Sequence, residues 1–226
     1  MPPVAAARCV IPGLVVLLLA GLGAVPAAAD PALDRELAAI TALLPGRYEV
    51  TLPDPRGGGS MTIHHEIIPV QVPAFGPGRA FYHQISRDGF DADVPFQQKV
   101  YVFDEDPGRP RNRMRSFVLA PGAATVSPAR GGAALAALQP AATMSFPPAC
   151  IINWSAGDEP GSWVARVRRE DCSYRSERFG QMISPDLTYV VAPGWLAVED
   201  RLFGEDGKSL VPSPGLGRAR RLPGDP

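Results

Sequence analysis

Cysteine and histidine are scarce, with three of each in 226 residues, and positive charge is not in excess: 22 Lys and Arg stand against 23 Asp and Glu. A protein that neutralises phosphates normally carries a basic patch or stripe, so no nucleic-acid partner is expected. Ser60 and Ser155 lack the flanking glycines of a G-x-S-x-G elbow. The sequence also has no G-x-x-x-x-G-K-[ST] phosphate cradle and no dinucleotide glycine fingerprint after a strand. These absences leave the catalytic residues unknown and no bound cofactor required. The 23 Gly and 26 Pro make the chain loop-rich without reaching the level at which low-complexity disorder is the default.

The first 29 residues read as a secretory signal peptide. Arg8 supplies a positive charge, Ile11 to Ala24 is an apolar run, and Ala27-Ala28-Ala29 offers small residues for cleavage before Asp30. An uncleaved anchor is the rival, because the stretch from Cys9 to Ala29 is about long enough to span a bilayer. Pro12, Pro26 and the alanine-rich end favour cleavage. Cys9 precedes the apolar run, so it is not a lipid-attachment cysteine. The expected location is periplasmic or secreted, with the membrane met only during export.

Cleavage leaves Cys150 and Cys172, a lone pair in a compartment where disulfides persist, and a disulfide between them is expected. A metal or redox role is disfavoured. Structural zinc wants four ligands, no histidine lies near either cysteine in sequence, and the spacing is far from Cys-x-x-Cys. If Met61 to Ile68 is a strand, His64 and His65 point to opposite faces and cannot both bind one metal from it. One of them with His83 and a carboxylate such as Glu66 could make a site. Surface or hydrogen-bonded structural histidine is preferred, and no metal is assigned.

One segment is strongly helical: Asp30 can cap it, Pro31 suits a first position, and Leu33, Leu37, Ile40 and Leu44 share one face until Pro45-Gly46. The period then changes to two. Expected strands are Arg47 to Leu52, Met61 to Ile68, Arg79 to Ser86, Phe96 to Phe103, Arg113 to Leu119, Ala149 to Trp154, Trp163 to Arg168, Cys172 to Phe179, Leu187 to Val191 and Trp195 to Arg201. With turn formers between them they suggest an antiparallel meander closing into a barrel, since closure removes sheet edges. The fold class is mainly β, with an N-terminal helix and one barrel domain over 30–210. The Ala, Gly and Pro-rich stretch from Pro121 to Pro148, with a short helix at Gly131 to Leu138, is expected to cross one barrel end. The tail over 211–226, with Arg218, Arg220 and Arg221, is expected to be disordered and solvated, with a basic binding tail as the alternative.

Alternation gives one strand a face of Phe81, His83 and Ile85 and an opposite face of Tyr82, Gln84 and Ser86. The next strand has Phe96, Gln98, Val100 and Val102 on one face and Gln97, Lys99, Tyr101 and Phe103 on the other. Aromatic walls with a few amides suit a ligand cavity. Aromatics that simply fill the barrel are the equal alternative. Tyr82, Gln84, Phe96 and Gln98 are expected to face a shared interior and contact a flat ligand.

Five short segments carry a family resemblance: Leu43-Leu44-Pro45-Gly46-Arg47-Tyr48, Phe81-Tyr82-His83-Gln84, Pro95-Phe96-Gln97-Gln98-Lys99-Val100-Tyr101, Cys150-Ile151-Ile152-Asn153-Trp154 with Cys172, and Asp200-Arg201. Together they resemble the CpeT/CpcT family of bilin chromophore lyases, from about Leu37 to Leu210. The resemblance implies a lipocalin-like, calycin-type barrel that binds an open-chain tetrapyrrole and delivers it to an acceptor cysteine through a thioether bond. Carried over by position, it puts Tyr82, Gln84, Phe96, Gln97 and Lys99 in or beside the pocket. The family's Tyr-Arg pair is Phe96-Gln97 here, and lysine at 99 does not reproduce a bidentate arginine contact. The expectation is therefore an exported protein that binds a small hydrophobic or tetrapyrrole ligand, with lyase activity resting on the resemblance alone. A non-catalytic lipocalin-like binder and a structural envelope protein are the alternatives. A homodimer is also allowed.

Overall fold

The computed structural model of the chain describes residues 30–55, 57–87, 89–90, 95–106, 111–119, 135–145, 150–176, 179–211, 213 and 215–224. The leader at 1–29, with its cleavage site, lies outside the described residues, as does most of the 121–148 connection.

Helix α1 (Pro31–Leu43) starts as its sequence dictates: the Asp30 carboxylate accepts from the Ala32 amide at 2.8 Å, and Pro31 needs no hydrogen-bond acceptor in the first turn. Leu33, Leu37 and Ile40 are buried on one face. At its far end the Tyr48 hydroxyl donates to the carbonyls of Leu43 at 2.8 Å and Leu44 at 3.1 Å, which would otherwise lack partners. Gly46 begins the following strand with φ 144°, and a Cβ there would lie 2.8 Å from the Arg221 guanidinium. The positive φ disfavours a side chain there, and the Arg221 guanidinium would also have to shift to admit one.

The described strands are β1 (Gly46–Pro53), β2 (Ser60–Val70), β3 (Arg79–Ser86), β4 (Gln97–Glu105), β5 (Asn112–Leu119), β6 (Thr143–Ser145), β7 (Trp154–Ala156), β8 (Trp163–Val167), β9 (Tyr174–Ser176), β10 (Gln181–Ala192), β11 (Trp195–Phe203) and β12 (Ala219–Arg221). They form one antiparallel sheet in the order β6-β5-β4-β3-β2-β1-β12-β11-β10-β8-β7, with β9 on β10. The architecture is thus mainly β with an N-terminal helix.

Continuous ladders do not run round to closure, so the closed barrel expected from the strand pattern is not what the pairing shows. Across the remaining seam there is one isolated bridge, Met114 to Ile152, with the Met114 amide donating to Ile152 O at 2.8 Å. Beside it the Asn112 side chain stands in for backbone. Its Nδ2 donates to Trp154 O at 3.1 Å, and its Oδ1 accepts from the Trp154 amide at 2.8 Å. The segment after Cys150 is too short and irregular for a full ladder; only Trp154–Ala156 pairs regularly, with β8.

Register defines two faces. The inner face holds α1 and a core that includes Tyr48, Ile67, Phe81, Tyr101, Phe103, Met114, Trp154, Leu187 and Tyr189. The outer face of β2 to β5 is covered too: Phe75, in the turn Pro73–Phe75, and Leu135 and Leu138 pack with Tyr82, Val100, Val102 and Leu119. Strands β3 and β4 are therefore buried on both sides. Of the expected helix at 131–138 the described part is a single turn, with Leu138 N donating to Leu135 O at 3.1 Å. Within the tail expected to be disordered, Ala219–Arg221 forms β12 and joins β1 to β11. Ala219 fills the core there, a small apolar contribution that the arginines around it mask in the sequence.

Cys150 and Cys172 are bonded, with Cα atoms 5.0 Å apart and a sequence separation of 22. The bond anchors the segment that carries Ile152 across the seam. Breaking it, by reduction or by Cys150→Ala with Cys172→Ala, is expected to lower unfolding stability by about 3 kcal/mol through loss of a loop constraint. Urea unfolding with and without reductant measures this, and unchanged midpoints would contradict it. Among the described residues no helix is long and apolar enough to cross a membrane. The disulfide is compatible with a location outside the cytoplasm.

Candidate functional site

The inner face carries a chain of buried polar groups that hydrophobic patterning does not predict. Cross-strand partners His83 on β3 and Lys99 on β4 both face inward, and His65 reaches the same face from β2. Asp200 and Tyr189 reach it from β11 and β10. Lys99 is only 1% exposed, and its Nζ is ion-paired with Asp200 Oδ2. The Asp200 side chain retains 27% exposure, so the carboxylate is where this cluster meets solvent.

From Asp200 the chain runs inward. Tyr189 Oη donates to Asp200 Oδ1 at 2.9 Å. The Tyr189 hydroxyl also hydrogen-bonds with that of Tyr101. Tyr101 Oη lies 2.8 Å from His83 Nδ1, and His83 Nε2 lies 3.0 Å from His65 Nδ1. An ionised carboxylate only accepts, which sets the direction of every bond behind it. Tyr189 donates to Asp200, Tyr101 to Tyr189, His83 Nδ1–H to Tyr101, and His65 Nδ1–H to His83 Nε2. This assignment needs a neutral His83, which donates from Nδ1 and accepts at Nε2. Burial, followed by the charge on Lys99, lowers the His65 pKa from 6.5 to about 4. Burial, then His65 and Lys99, holds His83 well below its usual range. Burial and the neighbouring Asp200 charge keep the Tyr101 and Tyr189 hydroxyls protonated far into the alkaline range.

α1 closes the end of the inner face opposite this cluster. Asp34 takes Arg79, at the start of β3, at 2.8 Å, and Glu36 accepts from Asn112, at the start of β5, at 3.1 Å. Lys99 sits near the other end of β4, and its ion-pair partner Asp200 toward the end of β11, a strand remote from β4 in the sheet order. The polar layer therefore lies between the apolar core and the end away from the helix.

The six expected ligand residues do not line one interior. Gln97 and Lys99 face inward. Tyr82, Gln84 and Gln98 share the outer face and bind one another: Tyr82 Oη donates to Gln84 Oε1 at 3.0 Å, Gln98 Nε2 donates to Tyr82 Oη, and Gln84 Nε2 donates to the Phe90 carbonyl at 3.0 Å. Phe96 precedes β4, is 62% exposed, and has the Arg87 guanidinium carbon 4.6 Å from its ring centroid. Alternation correctly grouped Tyr82 with Gln84, but it does not say which face turns inward. The expected opposition of His64 and His65 is seen: His64 packs against Phe90 at 4.9 Å while His65 bonds His83. Glu66 is drawn to Arg47 at 2.8 Å on the outer face, away from both inner histidines. Among the described residues no group of three or more His, Cys, Asp or Glu could hold a metal ion.

Two shallow depressions of about 220 and 350 Å³ lie over outward-facing side chains of β8, Val164 and Arg166 among them. Neither is lined by the inner cluster. At the level of Tyr101 and Tyr189 the inner face is filled by aromatic rings, with centroids 6.1 Å apart for that pair and 6.5 Å for Trp154 and Tyr189.

No family model matches the chain, and no curated protein matches it. The fold is similar to that of a solved structure of the CRL protein of Arabidopsis, in its selenomethionine form, with a TM-score of 0.55 over 83% of this chain and 98% of that one. At 11% identity that likeness extends to the β-rich fold alone.

Proposed function

We propose that the chain is an exported lipocalin-like binding protein whose ligand is a small, flat or hydrophobic molecule of the tetrapyrrole kind, met at the open end of the inner face by Asp200 and Lys99. This reading takes the sheet, joined at its seam by Met114 and Asn112, as a calycin-type barrel, and it takes the distributed motifs as a CpeT/CpcT resemblance. The observation that carries it is the Lys99–Asp200 pair. Taking two charges into a β interior is costly, and well-packed apolar residues would hold the fold as well. A carboxylate at the mouth instead offers an acceptor to the N–H groups of an incoming pyrrole. Orientation of this sort is the contribution a chromophore lyase would need from its protein, and covalent transfer to an acceptor cysteine remains the enzymatic form of the same proposal.

The filled aromatic layer favours a second reading, a structural envelope protein that takes no ligand. Titration with biliverdin and haem, followed by absorbance and protein fluorescence, separates the two. Wild type is expected to bind at micromolar concentration. Phe96→Ala is expected to weaken binding several-fold without loss of folding, since that ring is exposed beside the start of β4. Failure of both ligands to bind would remove the tetrapyrrole reading.

A further inference from the structure

The outward face of β8, β10 and β11 carries an apolar strip that the inner core does not use. Register places Val190 directly between Val164 and Ala197, with Arg166 next along β8, across from Thr188. Two walls turn the strip into a cleft of about 220 Å³. One is the β7–β8 turn, where Gly157 N donates to Ser162 O at 2.9 Å. The other is the segment 215–218, preceded by Ser213, whose Oγ donates to Glu199 at 3.1 Å. The Arg218 guanidinium lies 4.3 Å from the Trp195 ring centroid and pairs with Glu159 of the turn, which links the two walls. Trp195 and the half-exposed Leu216 complete the apolar lining.

The cleft adjoins the polar depression of about 350 Å³, which Asn153, Ser155 and Arg168 line. Val164, Arg166 and Asp158 line both. Arg166 and Asp158 are exposed, and among the described residues their charged groups have no partner. Arg168 meets Glu170 only at 4.0 Å. An apolar compartment and a compartment with two guanidiniums therefore meet at Arg166. We propose that together they bind a monoanionic amphiphile, a carboxylate on an alkyl chain of medium length. Its tail lies over Val164, Val190 and Ala197 beside Trp195, and its head rests on Arg166 with Arg168 nearby. Apolar walls supply burial while a placed polar group fixes orientation, and a guanidinium takes a carboxylate through two parallel hydrogen bonds. A cavity of roughly 150 Å³ houses benzene, so the cleft has room for a tail of at least that bulk. Asp158 repels the same head, which disfavours a second negative charge on it. The site is on the opposite face of the sheet from Lys99 and Asp200 and stands apart from the ligand reading there.

Titration of the disulfide-bonded protein with octanoate, 1-octanol and octylammonium, followed by amide and indole shifts in nitrogen–proton spectra, tests it. Octanoate is expected to give saturating shifts at Val164, Val190 and the Trp195 indole. Arg166→Gln should weaken octanoate about fivefold and Asp158→Asn should strengthen it about twofold, magnitudes suited to exposed charges, with octanol changed by neither. Both side chains are exposed, so neither variant threatens the fold. Shifts that never saturate, shifts centred on Asp200 instead, octylammonium binding as tightly as octanoate, or an unchanged octanoate affinity in Arg166→Gln would each overturn the proposal.

Discussion

Asp200→Ala is expected to destabilise the protein by about 3–5 kcal/mol, because it leaves the Lys99 ammonium buried without a counter-charge. Lys99 is 1% exposed, and water reaches it only through the solvent-facing position that Asp200 vacates, which replaces the lost carboxylate incompletely. Tyr189 also loses the acceptor of its 2.9 Å hydrogen bond, and the direction imposed on the bonds behind it disappears. Removing both charges together should cost far less: Lys99→Met with Asp200→Leu replaces an ion pair by apolar volume. Urea unfolding followed by tryptophan fluorescence reads both. A single variant within 1 kcal/mol of wild type would mean that the pair is solvated and contributes nothing distinctive to the inner face.

Acid is expected to have a comparably large effect. His65 has an ordinary pKa of 6.5 and about 4 in the folded chain, so between these values the unfolded state binds a proton that the folded state refuses. Stability is then complete above about pH 6.5 and falls as pH drops toward 4, by roughly 3 kcal/mol from this one group. His83 is shifted in the same direction and adds to the loss. The shared physical cause is burial, reinforced by Lys99. Unfolding midpoints measured from pH 7 to 4 should fall, and His65→Gln should flatten the slope. A flat profile in wild type would place the imidazoles in contact with water.

Local features were the most legible in the sequence. The N-cap at Asp30, the apolar face of α1 and the bounds of β3 follow from capping and periodicity, which depend on nearest neighbours. Strand faces were readable as well, because alternation is a property of the chain alone. Their orientation was not: Tyr82 and Gln98 lie outside and Lys99 inside, a difference set by sheet hand and by what covers each face. The covering segment around Leu135 hides the second apolar side of β3 and β4, which made both faces look equally fit for an interior. Tyr101 and His83 were each grouped with the right neighbours on their strands, but the opposite faces were expected to turn inward. Their connection to Tyr189 and Asp200 needed strands far apart in sequence to meet. β10 was expected only over Leu187 to Val191, because Pro185 interrupts its pattern, yet the strand runs from Gln181 to Ala192. β12 carries its signal in one alanine among arginines and is recognisable only from its partners.

The position of β12 bears on how the chain acquires its structure. β1 to β6 form one run of neighbours and β7 to β11 another, and the three residues Ala219–Arg221 are the rung between them, opposite Tyr48 and Glu49 on one side and Trp195 and Leu196 on the other. The first strand is thus joined to the second run through residues far from it in sequence, at 219–221. Contacts of such long sequence separation form late and slowly, since loop closure must precede any gain from pairing. Until Ala219–Arg221 takes its place, the two runs of strands lack this rung between them.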